Sequence, residues 1–131
     1  MISEKDKEII KNKFGGKCAY TGRNLADDWQ IDHKISQRLF KIGKEKGNPN
    51  SIDNLYPSLK IVNHYKRALP LEVFRNWFLC ELHERLKKLP RNPKTEKGIK
   101  RKKYLLAVAE VFGISEDKPF NGKFYFETLK N

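Results

Sequence analysis

Apolar and polar positions along this chain change period several times, and each change predicts an element. Ser3 followed by Asp6 resembles the start of a capping box, and the charged run to Lys13, with Ile9 and Ile10 on one side, predicts a short first helix. Phe14 and the Gly15-Gly16 pair close it. Cys18, Ala19 and Tyr20, then Thr21-Gly22, then Trp29, Gln30 and Ile31 predict two short strands in an antiparallel hairpin. From Ile42 to Ser51 the chain carries Gly43, Gly47, Asn48, Pro49 and Asn50, which predicts an irregular loop. A helix is predicted over 58–68. After the Leu69-Pro70 break a longer one is predicted to run to Leu89, because Leu71, Phe74, Phe78, Leu82, Leu86 and Leu89 recur at three- and four-residue steps. Val73, Trp77 and Cys80 widen that stripe, whose expected role is core packing. Leu105, Val108, Val111 and Phe112 predict a further helix stopped by Gly113, and Phe124, Tyr125 and Phe126 after the Asn121-Gly122 turn predict a final short strand. The expected fold class is α+β, in one domain over 1–131, with a motif core at about 17–78 and a helical C-terminal extension over 79–131.

Charge narrows the list of partners. The 131 residues include 28 Lys and Arg against 16 Asp and Glu, a net charge of +12 at pH 7. A basic surface gains affinity for nucleic acid by releasing counterions, so DNA is the expected partner. The positive charge concentrates in Arg85, Lys87, Lys88, Arg91, Lys94, Lys97, Lys100, Arg101, Lys102 and Lys103. With Pro90 and Pro93 inside it, this stretch reads as an exposed basic connector able to track a phosphate backbone. No apolar run approaches the roughly 20 residues needed to span a bilayer, so no membrane partner is expected. Cys18 and Cys80 form no CxxC pair, which suggests neither a disulfide framework nor a four-cysteine zinc site. With no secretory leader recognised, the expected location is the cytoplasm, of a bacterium or of a phage-infected cell.

The candidate chemistry begins with Asp32 and His33, adjacent at the end of a predicted strand, where alternation sends their side chains to opposite sides. A carboxylate can hold a hard divalent cation, and an imidazole, which titrates near neutral pH, can accept a proton from water. An Asp-His pair alone is usually a hydrogen-bonded surface feature, and its neighbours decide the matter. Downstream stands Ser51-Ile52-Asp53-Asn54-Leu55-Tyr56-Pro57, and nine positions past Asn54 comes Asn63, followed by His64, Tyr65, Lys66 and Arg67.

Together with Lys17-Cys18-Ala19-Tyr20-Thr21-Gly22 and Trp29-Gln30-Ile31-Asp32-His33, this pattern resembles the HNH nuclease family over roughly residues 17–78. The resemblance implies a ββα-metal core and a metal-dependent endonuclease that hydrolyses DNA phosphodiester bonds by nicking or double-strand cleavage, leaving 5′ phosphate and 3′ hydroxyl ends. Asp32 and Asn63 become the metal ligands, His33 the general base, and Asn54 the asparagine that holds the loop and keeps His33 in register. Mg²⁺ or Mn²⁺ is the expected cofactor, since two oxygen donors leave room for water and a phosphate oxygen, with Ni²⁺ and Zn²⁺ as the other ions to test. Arg67 stands where histidine-ligated members carry a third ligand; it, or Lys66 beside it, is expected to contact the scissile phosphate, because a guanidinium matches phosphate geometry. Lys100, Arg101, Lys102 and Lys103 complete the expected substrate-binding set. Thr21 occupies the place of the second cysteine after Cys18, so no structural zinc is expected. Cys18 reads as a small buried hydrophobe, Tyr20, Trp29 and Tyr56 as packing residues, His64 as a second-choice ligand and His83 as structural or surface. Cutting both strands would call on a homodimer. The alternatives are a DNA-binding module that has lost cleavage, and a nuclease acting on RNA.

Overall fold

The computed structural model describes residues 2–129, which form helices and one small antiparallel sheet, an α+β arrangement. Helix α1 (Glu4–Asn12) starts as predicted: the Ser3 side chain accepts a hydrogen bond from Asp6 N at 3.1 Å. Strand β1 (Gln30–His33) is followed by the short helix α2 (Gln37–Lys41), a loop, and a 3₁₀ turn at Ile52–Asn54. Strand β2 (Leu55–Ser58) then leads to helix α3 (Lys60–Lys66). The helix begins two residues later than predicted because Ser58 is still paired in the sheet.

The sheet corrects the predicted hairpin. β1 pairs with β2, setting Asp32 opposite Tyr56 and His33 opposite Leu55. The 17–24 segment folds into a tight turn instead, with Cys18 N donating to Arg23 O and Gly22 N to Cys18 O. Among the described residues its backbone link to the sheet is the bond from Ala19 N to Pro57 O, and the Tyr20 side chain adds a bond to Asp32. The local pattern specified an extended stretch but not its partner, which comes from 25 residues downstream of β1.

The chain divides into two compact units, one made of 2–71 with 124–129 and the other of 72–123. In the first, Ile10, Cys18, Ala19, Tyr20, Leu55, Val62 and Phe124 are buried. The rings of Tyr20 and Phe124 meet edge-on at 5.3 Å, and those of Tyr56 and Phe126 at 5.0 Å. The predicted final strand is a helical turn, α7 (Tyr125–Thr128), because Glu127 reaches back to accept from Phe124 N and closes the backbone into a turn. It still docks on the tight turn, as Tyr125 N and Phe126 N donate to Tyr20 O and Ala19 O. A Cβ on Gly22, whose φ is +76°, would lie 2.6 Å from the Tyr125 ring, so this contact requires glycine.

In the second unit the long helix predicted up to Leu89 is segmented. One turn, α4 (Leu71–Val73), passes into a π-helical stretch, Phe74–Leu79, before α5 (Leu82–Lys88). The wider stretch closes with Cys80 N donating to Arg75 O, and the Arg85 guanidinium takes the carbonyls of Trp77 and Phe78 at 2.6 and 3.1 Å. Helix α6 (Glu96–Val111) corrects the predicted connector. Thr95 caps it by accepting from Gly98 N, so Lys97 to Lys103 ride on a helix rather than on an irregular chain. No helix among the described residues is long and apolar enough to cross a membrane.

Candidate functional site

The last two residues of β1 stand in different environments. Asp32 is 4% exposed, whereas His33 is half-buried. The Asp32 Oδ2 atom accepts from the Tyr20 hydroxyl and lies 3.1 Å from Lys66 Nζ, whose side chain is 1% exposed. Burial pushes the Asp32 carboxyl above the usual carboxylate range, while the Lys66 ammonium and the Tyr20 hydroxyl pull it back. Burial, with the Asp32 charge second, holds the Tyr20 phenol well above its ordinary value. Both contacts fall on Oδ2, and Oδ1 has no hydrogen-bond partner among the described residues.

Asn54 is the structural hub on the other side of the strand. Its Oδ1 accepts from Ile35 N at 2.8 Å, and its Nδ2 donates to Ile35 O at 3.0 Å and to Pro49 O at 2.9 Å. One amide thus ties the exit of β1 to the irregular loop, which gives a geometric basis for its expected loop-fixing role. Lys34 N also donates to Asn54 O at 2.9 Å. Lys13 secures the same turn, with Nζ 2.8 Å from Ile52 O and 3.2 Å from Leu55 O.

Helix α3 delivers Asn63, whose Nδ2 donates to Gln30 Oε1 at 2.7 Å. With the nitrogen so engaged, the amide oxygen is the atom left for a ligand. One turn on, Arg67 ends the helix at φ 54° and ψ −142°, and it is the only non-glycine residue with positive φ among those described. That conformation costs a side-chain-bearing residue on the order of 1–3 kcal/mol, and such strain collects at functional sites. Asp32, His33, Asn63 and Arg67 all line one open cleft of about 440 Å³, together with Ile31, Ser36, Gln37, Arg38 and Ala68.

The remaining expected residues stand elsewhere. Lys66 is turned inward by α3 and its ammonium meets Asp32, so it holds a carboxylate where the sequence suggested a phosphate contact. His64 does not line the cleft. Lys100, Arg101, Lys102 and Lys103 belong to the second unit, on α6. Lys100 pairs with Glu96 at 3.3 Å, and Lys102 Nζ donates to the carbonyls of Pro90 and Arg91 at 3.0 and 2.7 Å. Arg101 and Lys103 are exposed.

Two residues next to His33 escaped sequence reasoning: Asn50, whose Oδ1 lies 2.8 Å from His33 Nε2, and Gln37, whose amide nitrogen lies 3.0 Å from the same atom. Gln37 follows His33 by four positions, but no helical pattern marked α2. Asn50 comes from an irregular loop whose path no periodicity encodes.

The donors suit a hard cation held lightly. Asp32 Oδ1 and Asn63 Oδ1 are both oxygens without a hydrogen-bond partner among the described residues, on a strand end and a helix that line one cleft. Among the described residues no cluster of three or more His, Cys, Asp or Glu could enclose a metal. Comparison of the chain with protein-family models, curated proteins and solved structures finds no match.

Proposed function

We propose that the first unit is an HNH-type ββα-metal endonuclease that hydrolyses DNA phosphodiester bonds. The observation that carries this reading is the convergence of Asp32 and His33 from β1 with Asn63 and Arg67 from α3 and its C-terminal end on one solvent-open cleft. Arg67 binds a non-bridging phosphate oxygen and orients the scissile group, a task suited to the planar fork of a guanidinium. His33 takes a proton from water on a ring nitrogen. As that O–H bond breaks, the water oxygen bonds to phosphorus and the bond from phosphorus to the 3′ oxygen breaks, that oxygen leaving with a proton from solvent. Asp32 and Asn63 would hold Mg²⁺ or Mn²⁺, which when bound neutralises charge on the phosphate and the leaving oxygen. Lys66 already balances the one carboxylate of the cleft, so affinity for the ion alone is low and bound DNA contributes to its capture.

The same ion pair favours a second reading, a basic DNA-binding module that keeps the scaffold without cutting. Supercoiled plasmid incubated with Mg²⁺, Mn²⁺ or EDTA separates the two. Nicked or linear product is expected with either metal and none with EDTA, while the thermal midpoint of the protein stays the same throughout because no metal supports the fold. Retarded but intact plasmid in every lane would favour the second reading.

A further inference from the structure

His33 is held by a side chain outside the motif that suggested the nuclease. Its Nε2 is the atom close to both amides, Asn50 Oδ1 at 2.8 Å and Gln37 Nε2 at 3.0 Å, and its Nδ1 has no hydrogen-bond partner among the described residues. A neutral imidazole carries one N–H and one lone pair. Nε2 therefore cannot donate to Asn50 and accept from Gln37 together, and one of the two contacts sets the tautomer.

Three observations select Asn50. Its contact is the shorter. Its backbone is fixed from both sides: Asn50 N donates to Asn48 Oδ1 at 2.9 Å, Ser51 N donates to Asn48 O at 3.0 Å, and the preceding carbonyl, Pro49 O, is held by Asn54. The exposed Gln37 side chain has no bond besides the one to His33 among the described residues, so no second contact fixes its amide. There is also a chemical reason. When the ring becomes imidazolium both nitrogens donate, so an oxygen facing Nε2 serves before and after proton transfer, whereas an N–H donor facing it would have to be expelled.

We propose that Asn50 is the positioning residue of His33: its amide oxygen accepts the Nε2 proton and leaves the lone pair, and hence the basic function, on Nδ1. The use made of that lone pair rests on the nuclease reading, but the tautomer does not. Asn54 acquires a second task, since by gripping Pro49 O it aims the neighbouring Asn50 at the imidazole.

Long-range ¹H–¹⁵N correlation spectra of the full chain test this directly. The chain has three histidines, and the His33 signals are identified by their loss in His33→Gln. In the neutral ring, wild type is expected to show the Nε2–H tautomer, as is Asn50→Asp, whose side chain can only accept. Asn50→Ala is expected to show a mixture. In cleavage assays Asn50→Ala should lower kcat on the order of 10–100-fold with KM unchanged, and Asn50→Asp should restore most of it. A wild-type ring protonated on Nδ1, or a tautomer unmoved in Asn50→Ala, overturns the assignment. If the spectra behave as expected but wild type cuts no DNA, Asn50 keeps its role and it is the nuclease reading that fails.

Discussion

On the inner side of β1 the Asp32 carboxylate is enclosed by a phenol and a buried ammonium, while one residue later His33 faces a solvent-open cleft and meets only the amides of exposed side chains. Adjacent on the strand and lining the same cleft, the two differ in what holds them. The inner side is an electrostatic fixture: a buried carboxylate with one oxygen neutralised presents the other in a fixed direction. The outer side is lightly built, its imidazole met by the amides of Asn50 and Gln37. Stability should therefore respond mainly to changes on the inner side, and turnover mainly to changes on the outer one.

The sharpest break in that comparison is His33→Ala. Loss of a general base is expected to lower kcat by about 10²- to 10⁴-fold, with the urea midpoint and DNA retention close to wild type. Cleavage at the wild-type rate by the folded variant would remove His33 from the chemistry. Lys66→Met tests the opposite side. Stranding one member of a buried ion pair typically costs about 3–5 kcal/mol, and urea denaturation should register a loss of that order. Adding Asp32→Asn should recover part of it, since the uncompensated charge is then gone. A loss no larger than that of an exposed lysine would show that water reaches Asp32.

Arg67 belongs to both sides, and Arg67→Gly should separate them by sign. Relief of the positive φ is expected to raise unfolding stability by about 1 kcal/mol, while cleavage slows for want of the guanidinium. A destabilised variant would mean that the side chain supports the fold. The smallest effects should come from α6, where Lys100→Gln, Arg101→Gln and Lys103→Gln are each expected to reduce the log–log salt slope of DNA binding by about 0.9 if that charge meets a phosphate. Lys102→Gln should leave the slope alone and loosen the turn at Pro90 and Arg91, whose carbonyls its ammonium holds. A slope that responds to none of Lys100→Gln, Arg101→Gln and Lys103→Gln would mark the cluster as merely solvated.

Local chemistry made part of this molecule readable in advance. Ser3 could cap α1 because the bond it makes spans three residues, whereas Asp32 and His33, expected on opposite sides of a strand, both line one cleft. Asn63 on a helix near the sheet followed from the same kind of short-range rule. The long predicted helix was only half right, because apolar spacing reports a stripe and not the i→i+5 bond that Arg75 O and Cys80 N make within it.

What tertiary structure alone decided lies where the partner is remote. β2 pairs with β1 from beyond a loop whose length carries no register information, and the burial of Lys66 depends on which turn of α3 faces the sheet. Asn50 meets His33 from a loop held by Asn48 and Asn54, contacts made by side-chain hydrogen bonds without periodicity. Short-range geometry and intrinsic chemistry therefore made legible helix α1 with its cap, the place of α3, and the residue types able to bind a phosphate or move a proton, but not the pairing of the strands or the breaks within the helices. Which charges are compensated and which nitrogen of His33 is free depend on long-range packing, because burial and hydrogen-bond partners exist only once the chain has closed on itself.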